Sequence, residues 1–123
     1  MTHLYPFNTT IYDATRLDLS HSALTSISRT FFRSFPDVTS LDLSHNSITD
    51  LSHVWEALAA LNNTLTHITI NNNDMHHLEP LNDSLHNVKM VNMSYCNITS
   101  VSYRFFTSFP GLKILDLSHN EIH

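Results

Sequence analysis

The chain has 123 residues, of which 41% are hydrophobic, 10% aromatic and 14% charged, with a formal charge of −5. That is apolar material for one modest core, and it excludes a collagen-like chain, a long disordered acidic tail and a strongly basic nucleic-acid binder. No apolar run approaches the roughly 20 residues of a membrane span, the start Met1-Thr2-His3-Leu4-Tyr5-Pro6 lacks the apolar core of a secretory signal, and the one cysteine, Cys96, permits no internal disulfide or cysteine-built zinc site.

In chain order, residues 1–13 read as the back half of a repeat, with Leu4, Phe7 and Ile11 at its apolar positions. A full pattern then recurs: two apolar positions three apart, a third two further on, a polar slot, and a closing apolar residue. Its first copy is Ala14, Leu17, Leu19, Ser22, Leu24, in which Ser22 departs from the Asn expected at the slot. An aromatic block, Ile27 to Pro36, follows. The second copy is Val38, Leu41, Leu43, Asn46, Ile48, and beyond it the spacing predicts a short helix, with Ser52 capping His53 to Leu61 and Val54, Leu58 and Leu61 on one face. Leu65, Ile68, Ile70, Asn73, Met75 form the third copy, and Val88, Val91, Met93, Cys96, Ile98 the fourth. A second aromatic block, Val101 to Pro110, nearly repeats the first, which suggests duplication of a three-repeat unit. The fifth copy is Leu112, Leu115, Leu117, Asn120, Ile122. Successive copies lie 24, 27, 23 and 24 residues apart, giving one domain over 1–123 with repeats at 14–37, 38–64, 65–87 and 88–111 and a partial repeat at 112–123.

The sequence Leu-Asp-Leu-Ser-His stands at Leu17, Leu41 and Leu115, and together with the period it resembles the leucine-rich-repeat family, closest to the 24-residue class of Toll-like and other receptor ectodomains. The resemblance implies an α/β fold: a right-handed solenoid, a horseshoe segment, with a parallel five-strand concave sheet and irregular or short-helical convex returns. It implies that the Asn slot turns inward and bonds backbone groups of the turn, that Cys96 is acceptable there, and that Phe32 and Phe106 take the family's inward Phe position. Physically, each Leu-x-Leu strand turns every second side chain inward, so one strand cannot bury its apolar face alone; stacking strands about 4.8 Å apart does so.

The side chains between the inward residues form columns on the open face. The central column is Asp18, Asp42, Thr69, Asn92, Asp116; before it come Arg16, Ser40, His67, Met90, Ile114, and after it Ser20, Ser44, Asn71, Ser94, Ser118. His21, His45, Asn72, Tyr95 and His119 line a rim, and Lys89 and Lys113 flank the other side. Arg16, Lys89 and Lys113 balance Asp18, Asp42 and Asp116, so the face is formally neutral and offers little to a phosphate backbone. Met90 and Ile114 sit side by side in polar surroundings, with Tyr95 near and the two lysines flanking, which is the composition of a protein-binding hot spot. The expected function is therefore non-enzymatic protein binding through the concave face, with no nucleic-acid partner and no membrane insertion. The alternative is a structural spacer in a larger repeat protein whose ligand site lies elsewhere.

Ten histidines invite a metal reading, with His21 and His45 near Asp18 and Asp42, and a metal-dependent enzyme is the remote alternative. Their recurrence at fixed repeat positions explains them as solenoid surface, so no metal, cofactor or catalytic residue is assigned. With 12 Asn and a single glycine, Asn is expected to carry much of the left-handed backbone that turns require. Sequons begin at Asn8, Asn62, Asn82, Asn92 and Asn97. The compartment stays open: a native Met1 and a lone cysteine point to the cytoplasm, whereas a piece of a receptor ectodomain would be extracellular. Neither end reads as a polar cap, so the chain is expected to be part of a longer protein or to associate with copies of itself through its solenoid ends.

Overall fold

The computed structural model describes the strand His3–Leu4 (β1) and residues 14–50, 52–81 and 84–122, with only the backbone of β1 and of His53. Each repeat contributes one three-residue strand to a parallel sheet: Arg16–Asp18 (β2), Ser40–Asp42 (β4), His67–Thr69 (β5), Met90–Asn92 (β7) and Ile114–Asp116 (β9), in that spatial order. The register follows the repeat, placing Leu17, Leu41, Ile68, Val91 and Leu115 side by side. The ladder continues one step past each strand, where Leu19, Leu43, Ile70 and Met93 donate to the carbonyls of Asp42, Thr69, Asn92 and Asp116 at 2.7–2.9 Å.

Alternation places Leu41, Leu43, Ile68, Ile70, Val91 and Met93 in the core, whereas the outer rows, Leu17 and Leu19 on one side and Leu115 and Leu117 on the other, are half-buried. Burying a side chain of this kind stabilises the fold by roughly 1.5–3 kcal/mol. The sheet is therefore anchored in its middle, where each residue is covered by rungs on both sides.

The return side is a ladder interrupted by a helix. Ser26–Ile27 (β3) pairs in parallel with β1, and His77–Leu78 (β6) with Ser100–Val101 (β8). Between β3 and β6 the longer second repeat returns instead through Ser52–Leu58 (α1), which tightens into a 3₁₀ turn at Ala59–Leu61. Val54, Leu58 and Leu61 are buried as the helical spacing predicts, and Trp55 and Ala57 join them. The cap differs from expectation. Ser52 lies within the helix, and the carboxylate of Asp50 accepts its N–H at 2.9 Å.

The two aromatic blocks form matching 3₁₀ turns, Phe31–Ser34 and Phe105–Ser108, each with its first two rings edge to face at 5.1 and 5.6 Å. Phe32 is buried as expected, together with Phe31. The expectation for Phe106 fails: Phe105 is buried and Phe106 is 47% exposed. The cause lies in the neighbours. The turn holding Phe32 packs against α1, whereas among the described residues the turn holding Phe106 makes no comparably extensive contact with another helix or strand.

Left-handed backbone falls mainly to residues other than Asn. Among the described residues, positive φ occurs at His21, Ala23, His45, Asn72, His76, Tyr95, Asn97 and His119. The lone glycine is needed for space instead: a Cβ at Gly111 would stand 2.7 Å from the His86 carbonyl oxygen.

Candidate functional site: the concave sheet and its rim

The strand register aligns the columns residue by residue. Arg16, Ser40, His67, Met90 and Ile114 stand in one row, and Asp18, Asp42, Thr69, Asn92 and Asp116 in the next. Ile114 is 62% exposed and its in-register neighbour Met90 is half-buried. Arg16, Asp18 and Lys113 are exposed, and Asp42, Asn92, Asp116 and Lys89 are intermediate.

The central column is held by its own turns. The Oδ1 atoms of Asp18, Asp42, Asn92 and Asp116 each accept the N–H two residues on, from Ser20, Ser44, Ser94 and Ser118, at 2.9–3.0 Å. The hydroxyls of Ser44 and Ser94 donate to the same oxygens and are buried, which corrects their expected place on the open face. These bonds to the ionised form, the serine hydroxyl first, hold the Asp18 and Asp116 carboxyls below the ordinary aspartate range.

Along the rim, His21, His45, Asn72, Tyr95 and His119 all take left-handed backbone, with φ between 54° and 59°. In the first four, N–H groups donate to the carbonyl of Ser44, Asn71, Ser94 and Ser118 on the next rung. That shared backbone angle brings like positions face to face. His21 stacks on His45 at 4.3 Å, and Tyr95 on His119 at 4.2 Å, both within 10° of parallel. Tyr95, 51% exposed, thus sits in an aromatic pair at the rim. Lys89 turns away from the strands: its Nζ would meet a Cβ on Gly111 at 2.7 Å, so it lies over the turn preceding Leu112. Removing Lys89 from the expected balance leaves Arg16 and Lys113 against three aspartates.

Beneath the rim, the Asn slot joins adjacent rungs. Asn46 Oδ1 accepts from Ser22 and Leu24 of the rung before, while its Nδ2 donates to Leu19, Leu43 and Ser44 carbonyls. Asn120 repeats this toward Cys96, Ile98, Met93, Leu117 and Ser118. Asn73, nearly fully buried, serves Ile48, Leu43, Ile70 and Asn71. Cys96 replaces only the donor half: its thiol reaches the Ile70 and Ser94 carbonyls, and Met75 N–H turns to the Cys96 carbonyl. Where the slot holds Ser22 or Cys96, the following residue, Ala23 or Asn97, is left-handed; after Asn46, Asn73 and Asn120 it is not. Burial raises the Cys96 thiol pKa and leaves it protonated, without the thiolate a nucleophile needs.

On the return side, a cavity of about 310 Å³ opens between α1 and the segment after Met75. Its wall includes Trp55, Glu56, Met75, His77, Glu79 and Leu81. Sequence reasoning assigned none of these residues to a site; the signal available was the drop in repeat length from 27 to 23 residues at this point. Among the described residues no group of three or more His, Cys, Asp or Glu is placed to hold a metal ion, and no helix is long and apolar enough to cross a membrane.

The family model for leucine-rich repeats matches residues 14–63 and 63–122. The chain belongs to the leucine-rich-repeat family. Its fold is similar to a chain in the crystal structure of the TLR13–ssRNA13 complex, with a TM-score of 0.74, 23% identity and 99% of the present chain covered. That TLR13 chain is a Toll-like receptor, and the present chain spans 20% of its length. No curated protein sequence matches the chain. Repeat family and solenoid fold make this a protein-interaction module in the general sense.

Proposed function

We propose that this leucine-rich-repeat segment is a non-enzymatic recognition module that binds a protein ligand across its concave sheet, with Met90 and Ile114 at the apolar centre. The observation that carries the reading is the pairing of these two residues on neighbouring strands, with Ile114 62% exposed on an otherwise polar face. The exposed apolar pair at the start of these strands and the stack of Tyr95 on His119 at the rim beyond their ends supply burial energy, and Arg16, Lys113, Asn92 and the aspartates supply polar groups that set orientation. The repeats 14–37, 38–64, 65–87, 88–111 and 112–123 act here as one unit, each adding one strand to the surface.

The resemblance to TLR13 in complex with ssRNA13 raises nucleic acid as a ligand class. Charge argues for protein: with Lys89 drawn over Gly111, the face is weakly acidic, and a phosphate backbone needs clustered cations. The second reading, a spacer in a larger horseshoe, is supported by the chain's spanning only 20% of the TLR13 chain. Affinity capture with the wild type and a Met90→Ser/Ile114→Ser variant, with and without nuclease, separates the three. A protein retained by the wild type and lost with the variant supports the proposal. Nuclease-sensitive retention favours nucleic acid, and a variant that captures as well as the wild type favours the spacer.

A further inference from the structure

We infer that Asn97, at the lateral edge of the solenoid, is an N-glycosylation acceptor. Asn97-Ile98-Thr99 is one of the Asn-x-Ser/Thr sequences of the chain, and those beginning at Asn62 and Asn92 also fall within the described residues. Asn8 and Asn82 lie outside them. An attached glycan is bulky and hydrated, so a folded chain keeps it only where the asparagine amide and the space beyond it face water.

The three described sequons differ in what the fold asks of them. Asn62 is half-buried and ties one return to the next: its Oδ1 accepts the His86 N–H and its carbonyl accepts from Asn87 Nδ2, both at 3.1 Å. A sugar on its amide would crowd the turn that makes these bonds. Asn92 is half-buried in the sheet, and the hydroxyl of its sequon belongs to the buried Ser94, which donates to Asn92 Oδ1 at 2.9 Å. Asn97 and Thr99 are both exposed, on either side of Ile98, which is fully buried. The sequon thus straddles an anchored residue and offers both of its functional groups to solvent. Its hydrogen bonds lie at the surface: Asn97 Nδ2 donates to the exposed Asp74 carboxylate at 2.9 Å, and the Thr99 hydroxyl to the His76 carbonyl at 3.1 Å. The positions equivalent to Asn97 in neighbouring rungs, Ser47, Asp74 and Glu121, are exposed as well, so the edge is a polar strip along which a glycan has room to lie. In the transfer, Asn97 Nδ2 bonds to the anomeric carbon of a lipid-linked oligosaccharide, the bond from that carbon to the pyrophosphate oxygen breaks, and the lipid pyrophosphate leaves. The nitrogen gives up one of its two protons, and the one it keeps suffices for the bond to Asp74.

The test expresses the whole chain behind a cleavable secretory leader in cultured animal cells. Digestion with peptide-N-glycosidase in heavy-oxygen water, followed by peptide mass spectrometry, reads which asparagines carried a glycan. The reading is made before and after limited proteolysis, which removes unfolded chains. Asn97 is expected to be occupied and to remain so among the surviving chains, whereas any glycan on Asn62 should be depleted from them. Thr99→Ala should lose the gel shift of one glycan and Thr99→Ser, which restores the hydroxyl, should regain it; Asn97→Gln should lose the same shift. An unmodified Asn97, a glycan on Asn97 confined to chains that the protease destroys, or equal survival of glycans on Asn62 and Asn97 would overturn the inference. Met90→Ser/Ile114→Ser should be glycosylated as the wild type is, which separates this result from the concave-face proposal.

Discussion

Trp55 in the second repeat meets Phe109 in the fourth edge to face, with ring centroids 5.5 Å apart and planes at 82°. The third repeat lies between them in sequence, yet its extended return leaves the two rings in contact across it. Both are almost fully buried. The pair therefore links non-adjacent rungs in a fold whose strands otherwise contact only their neighbours. A double-mutant cycle with Trp55→Leu and Phe109→Leu, followed by urea unfolding, should give a coupling energy of about 0.5–1.5 kcal/mol. Strictly additive losses would show that the rings merely share a core.

Asn73→Ala should be among the most damaging polar substitutions, because it strands the Ile48 N–H and removes the donor to three carbonyls. A loss of about 2–4 kcal/mol is expected from leaving such groups unpaired. Asn73→Cys should cost less, since Cys96 shows a thiol reaching two carbonyls from the same slot. Chemical denaturation of the pair decides it, and equal losses would mean that the thiol contacts contribute nothing.

Ala23 is exposed at φ 55°, a conformation that glycine adopts without steric cost. Ala23→Gly should stabilise the protein by up to about 1 kcal/mol and raise Tm by a few degrees. Asn97→Gly, at the same angle, should gain less because Asn tolerates left-handed backbone and Asn97 would lose its 2.9 Å bond to Asp74. Thermal melts of the two variants give the order, and a destabilised Ala23→Gly would contradict the strain argument.

The carboxyls of Asp18, Asp74 and Asp116 lie below their unfolded values, held there first by hydrogen bonds from Ser20, Asn97 and Ser118 respectively. A group lowered on folding contributes stability that is fully present above its unfolded pKa, near 4, and is lost as pH falls through the folded value. Unfolding midpoints measured from pH 6 downward should therefore fall most steeply below about pH 4. The triple variant Asp18→Asn/Asp74→Asn/Asp116→Asn should flatten that limb, and an unchanged slope would place the acid sensitivity elsewhere.

The strand register was legible because the Leu-x-Leu period is short and repeated; Leu41, Ile68 and Val91 could hardly face solvent without exposing a whole row. Leu17 and Leu115 follow the same pattern but are only half-buried, since burial depends on neighbours as well as period. Phe106 fails for that reason: its local sequence matches that of Phe32, but its surroundings do not. The backbone angles of His21, His45 and Tyr95 were harder to read, because the turn imposes them through bonds to the next rung. For the concave site, the columns were visible in the sequence, whereas the turning of Lys89 over Gly111 was not. The return-side cavity was hidden because it arises from two adjacent returns of unequal shape.

The direction of the Asn46 and Asn120 bonds bears on how the chain matures during synthesis. Each amide receives the N–H groups of the rung made earlier, so a freshly emerged turn stays open until the residues some two dozen positions downstream have left the ribosome. Closure then trails translation by one rung, and a stall between Cys96 and Asn120 would leave the most recent turn with bare amides, where a chaperone or a protease could take hold.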